Sequence, residues 1–175
     1  MSARLIGPGT ALWPAPPARL YAVLDAARHH AIHPALLDLA YVDEVATLYE
    51  GEAASALADV APYILALDPD GAAFDWLWGD SALRGTAIYL TSAAGPAALR
   101  AHLRRLARVR AEDGRVLLFR FYDPLIMRTF LPTCDAQQLD MVFGPIKRIV
   151  LADQDPLLGL RLRGQALETE EVAQA

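Results

Sequence analysis

Three histidines, His29, His30 and His33, have the types and spacing that most directly suggest chemistry. On a helix, His33 would share a face with His29 or with His30, and two imidazoles on one face are a common part of a zinc site. The sequence supplies no evident third ligand and no partnered general base nearby. A solvated, polar helix start is the simpler interpretation, so no metal ligand is assigned. A small metal-dependent enzyme using these histidines is kept as the alternative function.

Cys134 and Asp123 are the other candidates for catalysis. A nucleophilic cysteine needs a neighbouring base and an electropositive setting, and the sequence places none of the four histidines near Cys134. Asp123 precedes Pro124, and an aspartate before a proline is typical of a helix N-cap. No glycine-rich phosphate loop follows a predicted strand. The sequence therefore predicts no catalytic residue, no cofactor and no small-molecule substrate.

A basic stripe is the clearest binding feature. Arg100, Arg104 and Arg108 recur at every fourth position in a helix predicted from Gly95 to about Arg110. Phosphate binding is one interpretation, but the stripe lacks interleaved aromatic residues and the chain carries a net charge of −5. We therefore expect no nucleic-acid partner, and we assign the three arginines to protein binding.

Charge is unevenly distributed along the chain. Residues 96–148 hold ten Lys and Arg against five Asp and Glu, so the remainder carries −10. Such asymmetry indicates two surfaces of opposite character, which suit a protein that bridges two partners. Chance clustering of solvated charge is the alternative.

Composition predicts an ordinary protein of the cytoplasm. The chain is 54% hydrophobic with a mean hydropathy of +0.23, but much of this is alanine. The lone cysteine fits a reducing compartment. Apolar runs are far shorter than the roughly 20 residues that cross a bilayer, so no membrane partner is expected.

Strands alternate with helices along the chain, which predicts an α/β fold: a single domain with a mixed or mainly parallel sheet of about five strands and flanking helices. The central element is expected to be a buried strand at Val116–Tyr122 that leads into a helix capped by Asp123. Residues 1–17 are an irregular arm, 18–153 the domain, and 154–175 a C-terminal extension. That extension is predicted to hold an edge strand over Leu157–Leu167 and a disordered acidic tail from Glu168.

Several residues are interpreted as structural because they form caps, turns and core contacts. They are Tyr122, Asp123, Pro124, Pro132, Cys134, Gly144 and Pro145.

The combined motifs resemble a bacterial family catalogued as a domain of unknown function, the Tap/TEC-like adaptor and chaperone proteins of type VI secretion effectors. The resemblance covers about residues 19 to 153. It is carried by strand Leu20–Leu24 with Asp25, the turn Tyr49-Glu50-Gly51, the segment Ala61–Leu67, the helix Leu99–Arg110, and above all Leu118–Pro124, Phe130–Cys134 and Phe143-Gly144-Pro145.

This resemblance implies a non-catalytic cytoplasmic protein that binds a toxin effector and helps load it onto the VgrG spike of the secretion machine. It implies no catalytic residues, so none are carried over. It says nothing of the N-terminal arm or of the segment after Asp153.

Overall fold

The computed structural model describes residues 11–39, 44–111, 113–154 and 156–172. Within these residues the strands are β1 (Arg19–Asp25), β2 (Val45–Thr47), β3 (Pro62–Leu67), β4 (Ala87–Ser92), β5 (Arg108–Arg110), β6 (Val116–Leu118), β7 (Ile146–Leu151), β8 (Leu157–Arg163) and β9 (Ala166–Val172). The α-helices are α1 (Ile32–Leu39), α2 (Glu52–Ala56), α3 (Ala72–Gly79), α4 (Pro96–Leu106), α5 (Pro124–Phe130) and α6 (Ala136–Phe143).

The main sheet has seven strands in the order β2-β3-β1-β4-β7-β8-β9, and every neighbouring pair is antiparallel. The prediction of a mixed or mainly parallel sheet of about five strands is therefore wrong. The prediction fails because of the position of β1 in the sheet. Strands β3 and β4, joined by α3, do run parallel to each other, but β1 lies between them and runs the opposite way. The strand–helix–strand alternation is present, yet it produces no adjacent parallel pair.

Both faces of the sheet are covered, which is why β1, β3 and β4 are continuous apolar runs. Alternate residues of β1 enter two cores. Tyr21 and Val23 face the core built with α4, α5 and α6, whereas Leu20 and Leu24 face the core built with α1 and α3. The described part of the N-terminal arm closes the second core, with Leu12 fully buried and the Trp13 ring 4.9 Å from that of Phe74.

The C-terminal segment is part of the same sheet. Strand β9 extends through Val172, so the predicted disorder of the acidic tail is wrong for residues 168–172, and residues 173–175 lie outside the described residues. A buried arginine explains the order: Arg148 on β7 pairs with Glu170 at 2.7 Å and donates to the carbonyl of Ala11 at 2.7 Å. It joins β9 and the N-terminal arm to the middle of the sheet.

The prediction of a buried central strand at Val116–Tyr122 is wrong. Only Val116–Leu118 is a strand, and it pairs with β5 in a separate two-stranded sheet whose residues are exposed. The predicted long helix also ends early, at Leu106, because Arg108–Arg110 forms the other strand of that hairpin. The chain enters the core only at Phe121 and Tyr122, which are buried. Apolar composition alone predicted burial for the whole stretch, whereas its first half lies outside the main sheet.

Candidate functional site

Two crossed ion pairs hold the Arg120–Asp123 segment against the end of β1. Asp25, the last residue of β1, is 1% exposed and pairs with Arg120. Its side chain also accepts a hydrogen bond from the backbone N–H of Ala27 at 3.1 Å. In the opposite sense, Arg28 pairs with buried Asp123 at 3.2 Å. Each carboxylate thus accepts a backbone hydrogen bond within its own chain segment and also pairs with an arginine of the other segment.

Tyr122 lies beside this cluster with its hydroxyl near Tyr49. Burial, with smaller contributions from the neighbouring Tyr49 and the Asp25 carboxylate, raises the pKa of Tyr122 to about 12. The phenol is therefore protonated at neutral pH and is a poor general base. With Asp123 serving as a cap and Asp25 paired, the cluster acts as an internal clamp.

The predicted N-cap of α5 is present. The Asp123 carboxylate accepts from the backbone N–H of Leu125 at 2.9 Å, and Pro124 takes the first helical turn. Replacing Asp123 with alanine removes both the cap and the Arg28 pair, so we expect the free energy of unfolding to fall by about 1–2 kcal/mol. Asp123→Asn keeps a good capping side chain and should lose less. Urea denaturation of both variants measures this, and equal losses would contradict the capping role.

The histidines do not converge on a metal site. His29 and His30 stack on each other with ring centroids 4.8 Å apart, and His33 stacks on Tyr63 at 6.0 Å. The Nδ1 atom of His29 accepts from the backbone N–H of Ala31 at 3.2 Å. Among the described residues no group of three or more His, Cys, Asp or Glu is placed to hold a metal ion. Nothing in this arrangement favours the metalloenzyme alternative.

Cys134 follows the turn of 3₁₀ helix that contains Pro132, at Leu131–Thr133. Its thiol is half-buried and donates to the carbonyl of Phe130 at 3.5 Å. Burial, with the adjacent Asp135, raises the pKa of the thiol. A raised pKa is the opposite of what an activated nucleophile requires.

Gly144 and Pro145 end α6 where the helix meets α4. Gly144 has a φ of +45°, and a Cβ atom at this position would lie 2.4 Å from the ring of His102. His102 is buried, and its Nε2 lies 2.9 Å from the carbonyl oxygen of Val142. The Pro145 carbonyl accepts from Ser92 at 2.8 Å. Together these contacts fix α6 against α4 and β4.

A groove of about 630 Å³ lies beside α4, between the Leu48–Leu57 segment and the β5–β6 hairpin. We call it the α4 groove. Its lining is mostly apolar, with arginines along the α4 side. The lining residues are Leu48, Tyr49, Glu50, Ala53, Leu57, Ala101, Arg104, Arg105, Ala107, Arg108 and Leu118.

The predicted arginine stripe divides into two roles. Arg100 donates through Nε to the carbonyl of Thr47 at 2.8 Å, and Arg104 forms an ion pair with Glu50. Both therefore hold the segment that forms the far wall of the α4 groove. Arg108 is not on the helix but on β5, exposed, and has no ion pair within the described part of the chain. Only Arg108 of the three is fully available to a partner.

Sequence reasoning missed Arg105 and the apolar residues of the groove. Arg105 is exposed, lines the groove, and has no ion pair among the residues that the structure describes. Leu118 is 66% exposed, whereas it was predicted to be buried in the central strand. The signal was present: Glu112-Asp113-Gly114 between Arg108–Arg110 and Val116–Leu118 is a hairpin pattern.

Hairpin β5–β6 exposes apolar side chains on both faces. Cross-strand pairing joins Arg108 to Leu118 and Arg110 to Val116 on the groove side, and Val109 to Leu117 on the other. All three aliphatic residues of β6 are at least 47% exposed. Apolar side chains clustered in this way on a surface mark a site of contact with another molecule more often than single exposed ones do.

Comparison with known proteins gives one match. Residues 20–141 match the sequence model of a family described as a domain of unknown function, DUF4123. No curated protein and no solved structure matches the chain. The matched range contains the crossed ion pairs, the α4 groove and the β5–β6 hairpin.

Within the described residues, no helix has the length and apolar character needed to cross a membrane.

Proposed function

This chain belongs to the DUF4123 family, and on that premise we propose that it is a non-catalytic adaptor that binds a type VI secretion toxin effector and helps load it onto the VgrG spike. Most of the motifs that resemble effector adaptors lie within the matched residues, and Phe143-Gly144-Pro145 follows them directly. The observation that carries the proposal is the exposed apolar surface formed by the α4 groove and the β5–β6 hairpin, where Leu118 is 66% exposed. A surface of this kind is stabilised when a partner protein covers it.

The contacts that the polar motif residues make favour a protein-binding role over a catalytic one. Asp25, Arg120 and Asp123 are engaged with one another or with backbone groups. The Tyr122 pKa is raised to about 12 and the Cys134 pKa is also raised, so neither side chain is activated for chemistry at neutral pH. These side chains shape a scaffold.

Co-expression tests the proposal. The affinity-tagged chain is expressed with a type VI toxin effector and a VgrG protein from the same genome, and the eluted complex is analysed by size-exclusion chromatography with light scattering. We expect the chain to co-elute with the toxin, and toxin recovered with VgrG to fall several-fold when the chain is omitted. If toxin and VgrG associate equally well without the chain, and neither binds it, the proposed function is wrong.

A further inference from the structure

The α4 groove combines an apolar floor with a positive rim. Leu48, Ala53, Leu57 and Leu118 supply the floor, and Leu57 and Leu118 are both exposed. Of the charged residues in its lining, Arg104 is neutralised by Glu50. Arg105 and Arg108 remain without ion pairs in the described ranges, so the rim carries an excess of positive charge.

The β5–β6 hairpin extends the same surface. On its groove side, Arg110 lies next to Arg108 and Val116 next to Leu118, so the pattern of apolar and basic residues continues outward. A two-stranded hairpin of three-residue strands gains little stability by itself. It has an exposed aliphatic face on either side, so coverage by a partner would both bury apolar area and stabilise the pairing.

The charge and shape of the α4 groove indicate what kind of molecule it can bind. An apolar floor binds a segment with an apolar side, and unpaired arginines at the rim favour carboxylates at its edges. A small molecule fits this surface poorly, because the groove is open to solvent and runs onto the exposed hairpin, whereas small-molecule sites enclose most of their ligand. The complementary occupant is a short amphipathic protein segment, apolar on the side that meets the floor and acidic along the edges that meet the rim arginines.

We propose that the α4 groove, with the groove side of the β5–β6 hairpin, binds an acidic amphipathic segment of the effector. This inference rests on the proposed adaptor function. The effector is chosen over the spike because a carried protein must be held until it is loaded. Burial of aliphatic side chains such as Leu57 and Leu118 lengthens the residence time of a complex, whereas contact through charge alone mainly accelerates encounter.

The test compares variants of the full chain for binding to the toxin and to the VgrG protein used in the co-expression experiment. One variant reverses the free rim charges, Arg105→Glu with Arg108→Glu. The second places a carboxylate on the floor, Leu118→Asp. Arg100 and Arg104 are left intact because they hold the groove wall. The matched control, Arg84→Glu with Lys147→Glu, makes the same change in net charge at exposed positions that lie outside the groove lining and have no ion pair in the described part of the chain.

Both groove variants are expected to weaken toxin binding at least about tenfold in surface plasmon resonance, while the control stays within about twofold of the wild type. Circular dichroism and thermal unfolding confirm that each variant is folded; Leu118 and both arginines are exposed, so little loss of stability is expected. Lysine substitutions in the acidic segment of the toxin should restore binding to the Arg105→Glu, Arg108→Glu variant. Such restoration would identify the contact directly.

Other results separate the inference from the proposed function. If the wild type binds the toxin and the groove variants bind it equally well, the α4 groove is not the effector site although the adaptor function stands. The inference is also wrong if the variants lose only VgrG, or if light scattering shows a wild-type dimer that Leu118→Asp dissociates. If the wild type binds neither protein, the proposed function itself fails.

Discussion

Replacing Phe121 with alanine is expected to lower the free energy of unfolding by about 3–5 kcal/mol, the usual cost of emptying a large buried aromatic site. Phe121 is 1% exposed and lies in the core that joins the sheet to α4, α5 and α6. Its ring centroid is 5.4 Å from that of Tyr122, in an edge-to-face arrangement. Because these neighbours are held by the sheet and by the Asp25–Arg120 pair, the cavity cannot collapse freely.

Phe119 provides the matched control two residues earlier. Its ring is only partly buried, packing edge-to-face on Phe130 at 4.8 Å between centroids. Phe119→Ala should therefore cost less, about 1–2 kcal/mol, in proportion to the apolar area it covers. Urea unfolding followed by tryptophan fluorescence measures both variants. Equal losses, or a larger loss for Phe119, would mean that the chain enters the core at a different residue.

Replacing Gly144 with alanine is expected to have the second large effect, about 2–5 kcal/mol. Two costs combine. A side chain at φ +45° is strained by about 1–2 kcal/mol, and a Cβ atom 2.4 Å from the His102 ring overpacks the contact between α6 and α4 by about 1–3 kcal/mol. His102 has little room to move, because its Nε2 atom lies 2.9 Å from the Val142 carbonyl oxygen.

Gly114 separates the two costs. It also has a positive φ, +82°, but a Cβ atom there would meet nothing within 4 Å. Gly114→Ala should lose only the backbone term, about 1 kcal/mol. The double variant Gly144→Ala, His102→Ala should be more stable than the sum of its single changes predicts, since removing the ring relieves the contact. Strict additivity in thermal unfolding would show that the steric argument is wrong.

Local features were largely predictable because they depend on neighbouring residues. The caps at Asp123 and Asp135, the glycine end of α6, and strands such as Ile146–Leu151 are set by side chains within a few positions of one another. An aspartate followed three residues later by a glutamine, as at Asp135 and Gln138, is a capping-box pattern in the sequence, and the structure contains both of its hydrogen bonds, at 2.8 Å and 3.0 Å. Here the sequence pattern and the structure agree.

Tertiary contacts decided what local patterns leave open. Alternating strands and helices suit parallel and antiparallel sheets alike once another strand is inserted between them, and β1 does this between β3 and β4. A long-range pair also holds the acidic C-terminal segment in the sheet: Glu170 on β9 pairs with Arg148 on β7. None of these partners can be identified from spacing along the chain.

The sequence by itself determined the charge, the capped helices, the buried strands other than the one predicted at Val116–Tyr122, and the motifs by which the chain resembles its family. Only the tertiary structure decided which arginines are free. Arg100 and Arg104 are used to hold the groove wall, while Arg105 and Arg108 face outward beside an exposed Leu118. The physical reason is that availability depends on the nearest opposite charge or carbonyl in space, and at Arg100 that group is the carbonyl of Thr47, far away in the chain.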